Sequence, residues 1–189
     1  MTITRCGWVS DDPLYQAYHD DVWGKPVYDS QELFAKLCLD GQQAGLSWLT
    51  ILKKQQNYEA AFANFDPKII ATFDEQKVEA LLQNPGIVRN RLKVNSIIKN
   101  AKGYLAYVEQ GNDFSTFLWG FVDGKPRVNH FTSLAQVPAQ TPESEAMSKA
   151  LKKLGFNFVG PTICYAFMQA VGMVNDHLVD CCCYQQPDT

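Results

Sequence analysis

The chain has 189 residues, 46% of them hydrophobic, with six cysteines and a formal net charge of −3. That length buries a core without disulfide staples, and no run of about 18 apolar residues or charged-then-apolar leader occurs, so a soluble cytoplasmic protein with reduced cysteines is expected, with no membrane partner. The mild acidity excludes a general polyanion binder. Even so, Arg89, Arg91, Lys93, Lys99 and Lys102 form one acid-free basic stretch and Lys149, Lys152 and Lys153 belong to another. These are either one phosphate-facing surface or solvated helix faces.

In chain order, Asp12 and Pro13 predict a short helix to Asp20, on which Tyr15, Tyr18 and His19 recur near the helical period. Asp29 with Glu32 resembles a capping box and starts a helix to Asp40. Apolar periodicity from Ala44 to Phe62 predicts one long helix, Asp66-Pro67 opens a short one with Ile69, Ile70 and Phe73, and Asp74 caps another with Val78, Leu81 and Leu82. Asn84-Pro85-Gly86 reads as a turn. A helix from about Arg89 to Val108 turns Val94, Ile97, Ile98, Ala101, Leu105 and Val108 inward and ends at Gly111-Asn112, before a short amphipathic helix with Phe114, Phe117, Leu118 and Phe121. Residues 123–140 lack a sustained period and read as loop. Thr141-Pro142 opens a helix to Leu154 that Gly155 stops, and Pro161 opens the last, with Ile163, Cys164, Phe167, Met168 and Val171 buried. With no alternating strand pattern, the expected fold class is all-α.

Three groups of residues carry chemistry. The segment from Leu37 to Thr50 sets Asp40, two glutamines, two glycines and Trp48 inside an apolar neighbourhood. A carboxylate there is costly unless it is hydrogen-bonded, and it either reads a ligand or merely caps a turn. Gly155-Phe-Asn-Phe-Val-Gly160 joins two helices by a tight turn beside Lys152 and Lys153, which resembles the helix-hairpin-helix motif that grips a DNA backbone. His177 and Cys181, four apart and on one face if helical, join Cys6 and His19 in a Cys2His2 set of the kind that holds tetrahedral zinc in a closed, structural site. The alternative is an apolar cysteine cluster with satisfied surface histidines. Around these stand Trp8, Tyr15, Tyr18 and Trp23, either flat faces for stacking bases or plain core.

Arg5-Cys-Gly-Trp8, Asp12-Pro-Leu-Tyr15, Tyr18-His-Asp20, Gly41-Gln-Gln-Ala-Gly-Leu-Ser-Trp48, Phe156-Asn-Phe-Val-Gly160, Ile163-Cys-Tyr165, Val174-Asn-Asp-His177 and Cys181-Cys-Cys-Tyr184 closely resemble the 3-methyladenine DNA glycosylase I family, from Arg5 to Tyr184. The resemblance implies a helix-hairpin-helix glycosylase with one structural zinc on Cys6, His19, His177 and Cys181. It implies that Tyr18 and Trp48 sandwich a flipped base, with Trp8, Tyr15 and Trp23 around them and Asp40 as the recognition carboxylate in the catalytic position. DNA contacts fall to Gln43, Gly45 and Leu46, the last near the gap left in the duplex, and to Lys152, Gly155, Gly160 and Thr162. The implied substrate is alkylated double-stranded DNA, the product free 3-methyladenine, and the enzyme a monomer. One departure stands out: the family has glutamate where this chain has Asp40, so the backbone moves inward, a water fills the gap, or specificity has shifted.

Asp176, beyond the hairpin, is either a catalytic aspartate or, beside His177, a supporting group. The pocket motifs contain no lysine, which argues for hydrolysis by water and against a Schiff-base step. A single unit is expected, with two lobes: 1–25 plus 141–189 carrying the zinc and the hairpin, 26–140 a helical bundle, and the pocket between. The competing readings are a non-catalytic, zinc-stabilised helix-hairpin-helix DNA-binding module and, if the zinc site were open, a metal-dependent hydrolase.

Overall fold

Side-chain caps start most of the helices. In the computed structural model, which describes residues 2–184, Asp12, Asp29, Asp66, Asp74, Asp113 and Thr141 each accept a hydrogen bond from a first-turn backbone N–H. They open α1 (Pro13–Asp21), α2 (Ser30–Gln42), α4 (Pro67–Ile70), α5 (Glu75–Leu81), α7 (Phe114–Trp119) and α8 (Pro142–Lys153). Ser47 and Asn90 do the same for α3 (Trp48–Ala61) and α6 (Arg91–Glu109). The last helix, α9 (Pro161–Ala170), starts at Gly160 with no side-chain cap.

Several expectations need correcting. The third helix begins at Trp48 and not at Ala44, because Gly45 is left-handed (φ 78°) and Ser47 caps the true start; apolar periodicity ran across a turn it cannot detect. Residues 123–140 include a short strand, β1 (Arg127–Val128), paired in parallel with β2 (Val174–Asn175). Two residues are too few to show a period of two. Val108 and Ile69 lie at the surface, at 37% and 48% exposure. Lys93, read as part of a basic surface, is buried: its ammonium donates to the carbonyls of Gln42 (2.8 Å) and Ala44 (2.6 Å), bracing the turn before α3. Arg91 is paired with Glu75 and Glu79.

The main core is built on α2, α6, α8 and α9, with Leu33, Phe34, Leu37, Ile97, Leu151 and Phe167 wholly inaccessible. A second, smaller core joins the two ends of the chain through Cys6, Tyr18, Trp23, Leu178 and Cys181. Trp48 and Val137 pack against both, so the space between the cores is walled by residues of each. Among the described residues no helix is long and apolar enough to cross a membrane.

The α8–α9 hairpin is clamped against α2 and α6. Gly155 takes φ 92°, Phe156 stacks on Phe114 with centroids 5.8 Å apart, and the Asn157 backbone N–H donates to Asn100 Oδ1 (2.8 Å). Gly103 of α6 has to be glycine, since a Cβ there would stand 2.4 Å from the Leu154 carbonyl oxygen. Gly103→Ala is therefore expected to destabilise the fold by about 3 kcal/mol, by pushing α6 off the hairpin. Denaturant melts check this, with a shift of the midpoint at unchanged m-value as the expected signature.

Candidate active site and metal centre

A cavity of about 190 Å³ opens between the two cores. Its walls are Trp8, Tyr15, Tyr18, Trp23 and Trp48, with Asp40 and Asp176 as its carboxylates and Gln43, Gln169, Leu134, Val137, Ala166 and Ala170 completing the lining. All five aromatic residues expected at the site, and Asp40, thus meet in one place. Sequence reading missed Leu134, Val137, Ala166, Ala170 and Gln169. The first two arrive on the loop that β1 tethers, and the others face in from α9; none belongs to a motif with chemistry of its own.

Asp40, on the last turn of α2, is 3% exposed. Its Oδ1 accepts from the Lys36 ammonium at 3.2 Å, while Oδ2 and the indole Nε1 of Trp48 are buried and have no hydrogen-bond partner among the described residues. Burial pushes the Asp40 carboxyl up to about 6 against the opposing pull of Lys36. Burial likewise brings the Lys36 ammonium down to about 8, opposed by Asp40. Tyr18 is held as a neutral phenol, its pKa raised by burial and by the nearby Asp40 charge.

The supposed sandwich stands partly closed. The Tyr18 and Trp48 rings lie 5.6 Å apart and tilted by 41°, whereas a planar base stacked on both faces needs roughly 7 Å. The Lys36 ammonium stands over a face of the Trp48 ring, 3.2 Å from its centroid and 5.3 Å from that of Tyr18. The pocket motifs contain no lysine, yet Lys36, from the same helix as Asp40, reaches the Trp48 ring that walls the cavity. The (i, i+4) spacing of Lys36 and Asp40 was visible in the sequence; the packing of that helix face against two aromatic rings was not.

Asp176 is buried and its carboxylate is fully engaged. Asn129 Nδ2 donates to Oδ1 (2.6 Å), and Gln169 Nε2 (3.0 Å) and the Tyr165 hydroxyl donate to Oδ2. With both oxygens held, it ties the β1 loop, α9 and the pocket wall together.

Cys6, His19, His177 and Cys181 are all buried, and their ligand atoms lie within 4.8 Å of one another. The Cys181 sulfur is 3.4 Å from both His19 Nε2 and His177 Nδ1, and the Cys6 sulfur is 3.7 Å from His177 Nδ1. A tetrahedral zinc with ordinary Zn–S and Zn–N lengths requires sulfur–nitrogen edges of about 3.5 Å, so the donor set fits. The outer ring nitrogens are both engaged: His19 Nδ1 donates to Asp20 (2.7 Å) and His177 Nε2 to the Trp23 carbonyl (3.0 Å), which turns the remaining nitrogens inward. His177 and Cys181 are not on a helix, as expected, but meet through a turn closed by the Cys181 N–H on the Leu178 carbonyl. The cluster supports the pocket directly, because Trp23 packs on His177 (4.8 Å) and Trp8 on His19 (5.2 Å).

On the other side of Asp40, a groove runs over Gln43, Ala44, Gly45, Leu46, Thr162 and Ile163, linking the turn before α3 to the start of α9. Leu46 is 41% exposed at its tip. Lys152 and Lys153 are exposed on the hairpin beside Gly155.

The chain matches the family model described as methyladenine glycosylase over residues 8–184. It is 57% identical over 180 residues to DNA-3-methyladenine glycosylase 1 of Escherichia coli (strain K12), covering 95% of this chain and 96% of the relative. A crystal structure of 3-methyladenine DNA glycosylase I superposes with a TM-score of 0.95 at 56% identity, over 96% of this chain and 100% of the other. The Staphylococcus aureus 3-methyladenine DNA glycosylase I, described for its recognition of 3-methyladenine, superposes with a TM-score of 0.94 at 40% identity over the full length of both chains. Alike in sequence and in backbone along nearly its whole length, the chain belongs to the methyladenine glycosylase family.

Proposed function

We propose that this enzyme removes 3-methyladenine from alkylated double-stranded DNA by hydrolysing the N-glycosidic bond of the flipped nucleotide. The observation that carries the reading is the unpartnered, buried Oδ2 of Asp40 at the edge of an aromatic cavity. Such an oxygen lacks the acceptor's partner that the exocyclic amine of an adenine supplies.

Methylation at N3 makes the base a cation and a good leaving group, so the lesion itself lowers much of the barrier. The protein's share is extrusion, stacking and recognition. Tyr18 and Trp48 part to take the base between them, Trp8, Tyr15 and Trp23 wall it in, and Asp40 accepts from its amine and favours its positive charge. Leu46, exposed at the tip of its turn, would fill the gap in the duplex. Gln43 and Gly45 on the same turn, with Lys152, Gly155, Gly160 and Thr162 at the hairpin, hold the backbone, a role supported by the uncapped start of α9 and the exposed lysines. Water completes the hydrolysis. Asp176, with every oxygen engaged, acts as a positioning residue.

Cys6, His19, His177 and Cys181 would hold one structural zinc; four protein ligands leave no position for an activated water. The ends of the chain (1–25 and 141–189, of which 1 and 185–189 lie outside the described residues) and the bundle (26–140) then act as one unit with the pocket at their junction. We read it as a cytoplasmic monomer. Incubating methylated duplex DNA with the protein and separating the released bases tests the assignment: free 3-methyladenine is the expected product. DNA binding without base release would instead identify a non-catalytic helix-hairpin-helix module.

A further inference from the structure

The base-recognition reading leaves Lys36 without a role. A base stacked on Trp48 must occupy the layer about 3.5 Å above the indole. The Lys36 ammonium already fills that layer, 3.2 Å from the ring centroid, and is held there by Asp40 Oδ1 at 3.2 Å. A base stacked on that face of Trp48 and the ammonium cannot be present together. The lysine does not complete the site either, since Asp40 Oδ2 and Trp48 Nε1 stay unpartnered beside it. It is a placeholder whose departure leaves the site ready for something that satisfies more of it.

We propose that Lys36 is a specificity-determining residue, an internal cation that guards the base site against neutral purines and yields to a positively charged one. This inference rests on the glycosylase reading of the same pocket. When the ammonium swings out on its flexible four-carbon stem, the aromatic face loses a cation and the Asp40 carboxylate loses its counter-charge in a dry place. An undamaged adenine brings nothing to replace either contact. An N3-methylated adenine restores both, while the N6 amine that would serve Oδ2 is common to the two bases. The acid belongs to the same device: Lys36 and Asp40 are four apart on α2 and meet along one face.

The test compares wild type with Lys36→Met, which keeps length and helix propensity but no charge, and with Lys36→Arg, which keeps the cation; Lys36→Gln replaces the Met variant should that fail to fold. Two quantities are read: binding of free adenine by quenching of tryptophan fluorescence, and 3-methyladenine release from methylated DNA. The expected result is about tenfold tighter adenine binding by Lys36→Met, near wild-type binding by Lys36→Arg, and base release retained in both. Adenine binding unchanged or weakened in Lys36→Met overturns the proposal and makes the lysine a partner of the base or a structural group. A borohydride-trapped protein–DNA adduct that Lys36→Met abolishes also overturns it, since the amine is then a nucleophile. If Lys36→Met binds adenine about tenfold more tightly than wild type and neither protein releases base, the glycosylase reading fails and the placeholder role of Lys36 stands.

Discussion

Asp40→Asn is expected to lower kcat/KM for 3-methyladenine release by roughly 100-fold or more while leaving the melting temperature unchanged or slightly raised. The activity loss follows from removing the charge that Asp40 aims at the base's positive ring while leaving a group of the same shape. The stability result has the opposite origin. Burial raises the folded-state pKa of Asp40 to about 6, above its ordinary value of 3.8. The native state thus binds this proton more tightly than the unfolded chain does. The stability it contributes is full below the unfolded pKa and is lost as pH rises through about 6. At neutral pH the ionised carboxylate is a burden on the fold, which asparagine removes, and the Lys36 ammonium that loses its partner has a flexible stem on which to reach solvent.

The same shift gives excision an acid limb: base release by wild type is expected to fall as pH drops through about 6, where Asp40 takes up its proton. That limb should be missing from the residual activity of Asp40→Asn. Unchanged excision in the variant would remove Asp40 from base recognition. A large drop in melting temperature would make it a structural group instead.

Stripping the metal is expected to lower the melting temperature by about 10–20 °C, corresponding to about 3–7 kcal/mol for a chain of this size. Metal analysis of the purified protein is expected to return one zinc per chain, and Cys181→Ser to reproduce the effect of a chelator. The reason lies in the smaller core. Cys6, His19, His177 and Cys181 come from opposite ends of the chain and are packed in the dry. Without a cation, burial pushes the Cys6 thiol up to about 12 and pulls the His177 pKa down, leaving neutral groups with little to bind them to one another. Trp8 and Trp23, which rest on the two histidines, would lose their support, and base binding would fail together with the ends. The main core around α2, α6, α8 and α9 contains none of the four ligands, so much of the helix signal should survive. Activity lost on chelation with the melting temperature intact would mark a catalytic metal and refute the structural role.

The residues themselves, read in order, determined what is local. Asp12, Asp29, Asp66, Asp74 and Thr141 announce helix starts because a cap is a contact between neighbours in sequence, and Gly155 announces the hairpin because a left-handed turn needs a residue without Cβ. The family resemblance singled out Trp8, Tyr15, Tyr18, Trp23, Trp48 and Asp40, and one cavity is lined by all of them. Tertiary structure alone decided the states of the lysines. Lys93 lies in a basic stretch yet is buried under the turn before α3, and Lys36 lies outside every motif yet stands on the Trp48 ring. A charge pattern along the chain says which side chains are cationic. Whether they face solvent, a carbonyl or an indole depends on elements that arrive from elsewhere in the fold, and that long-range packing leaves no period or spacing in the sequence to read.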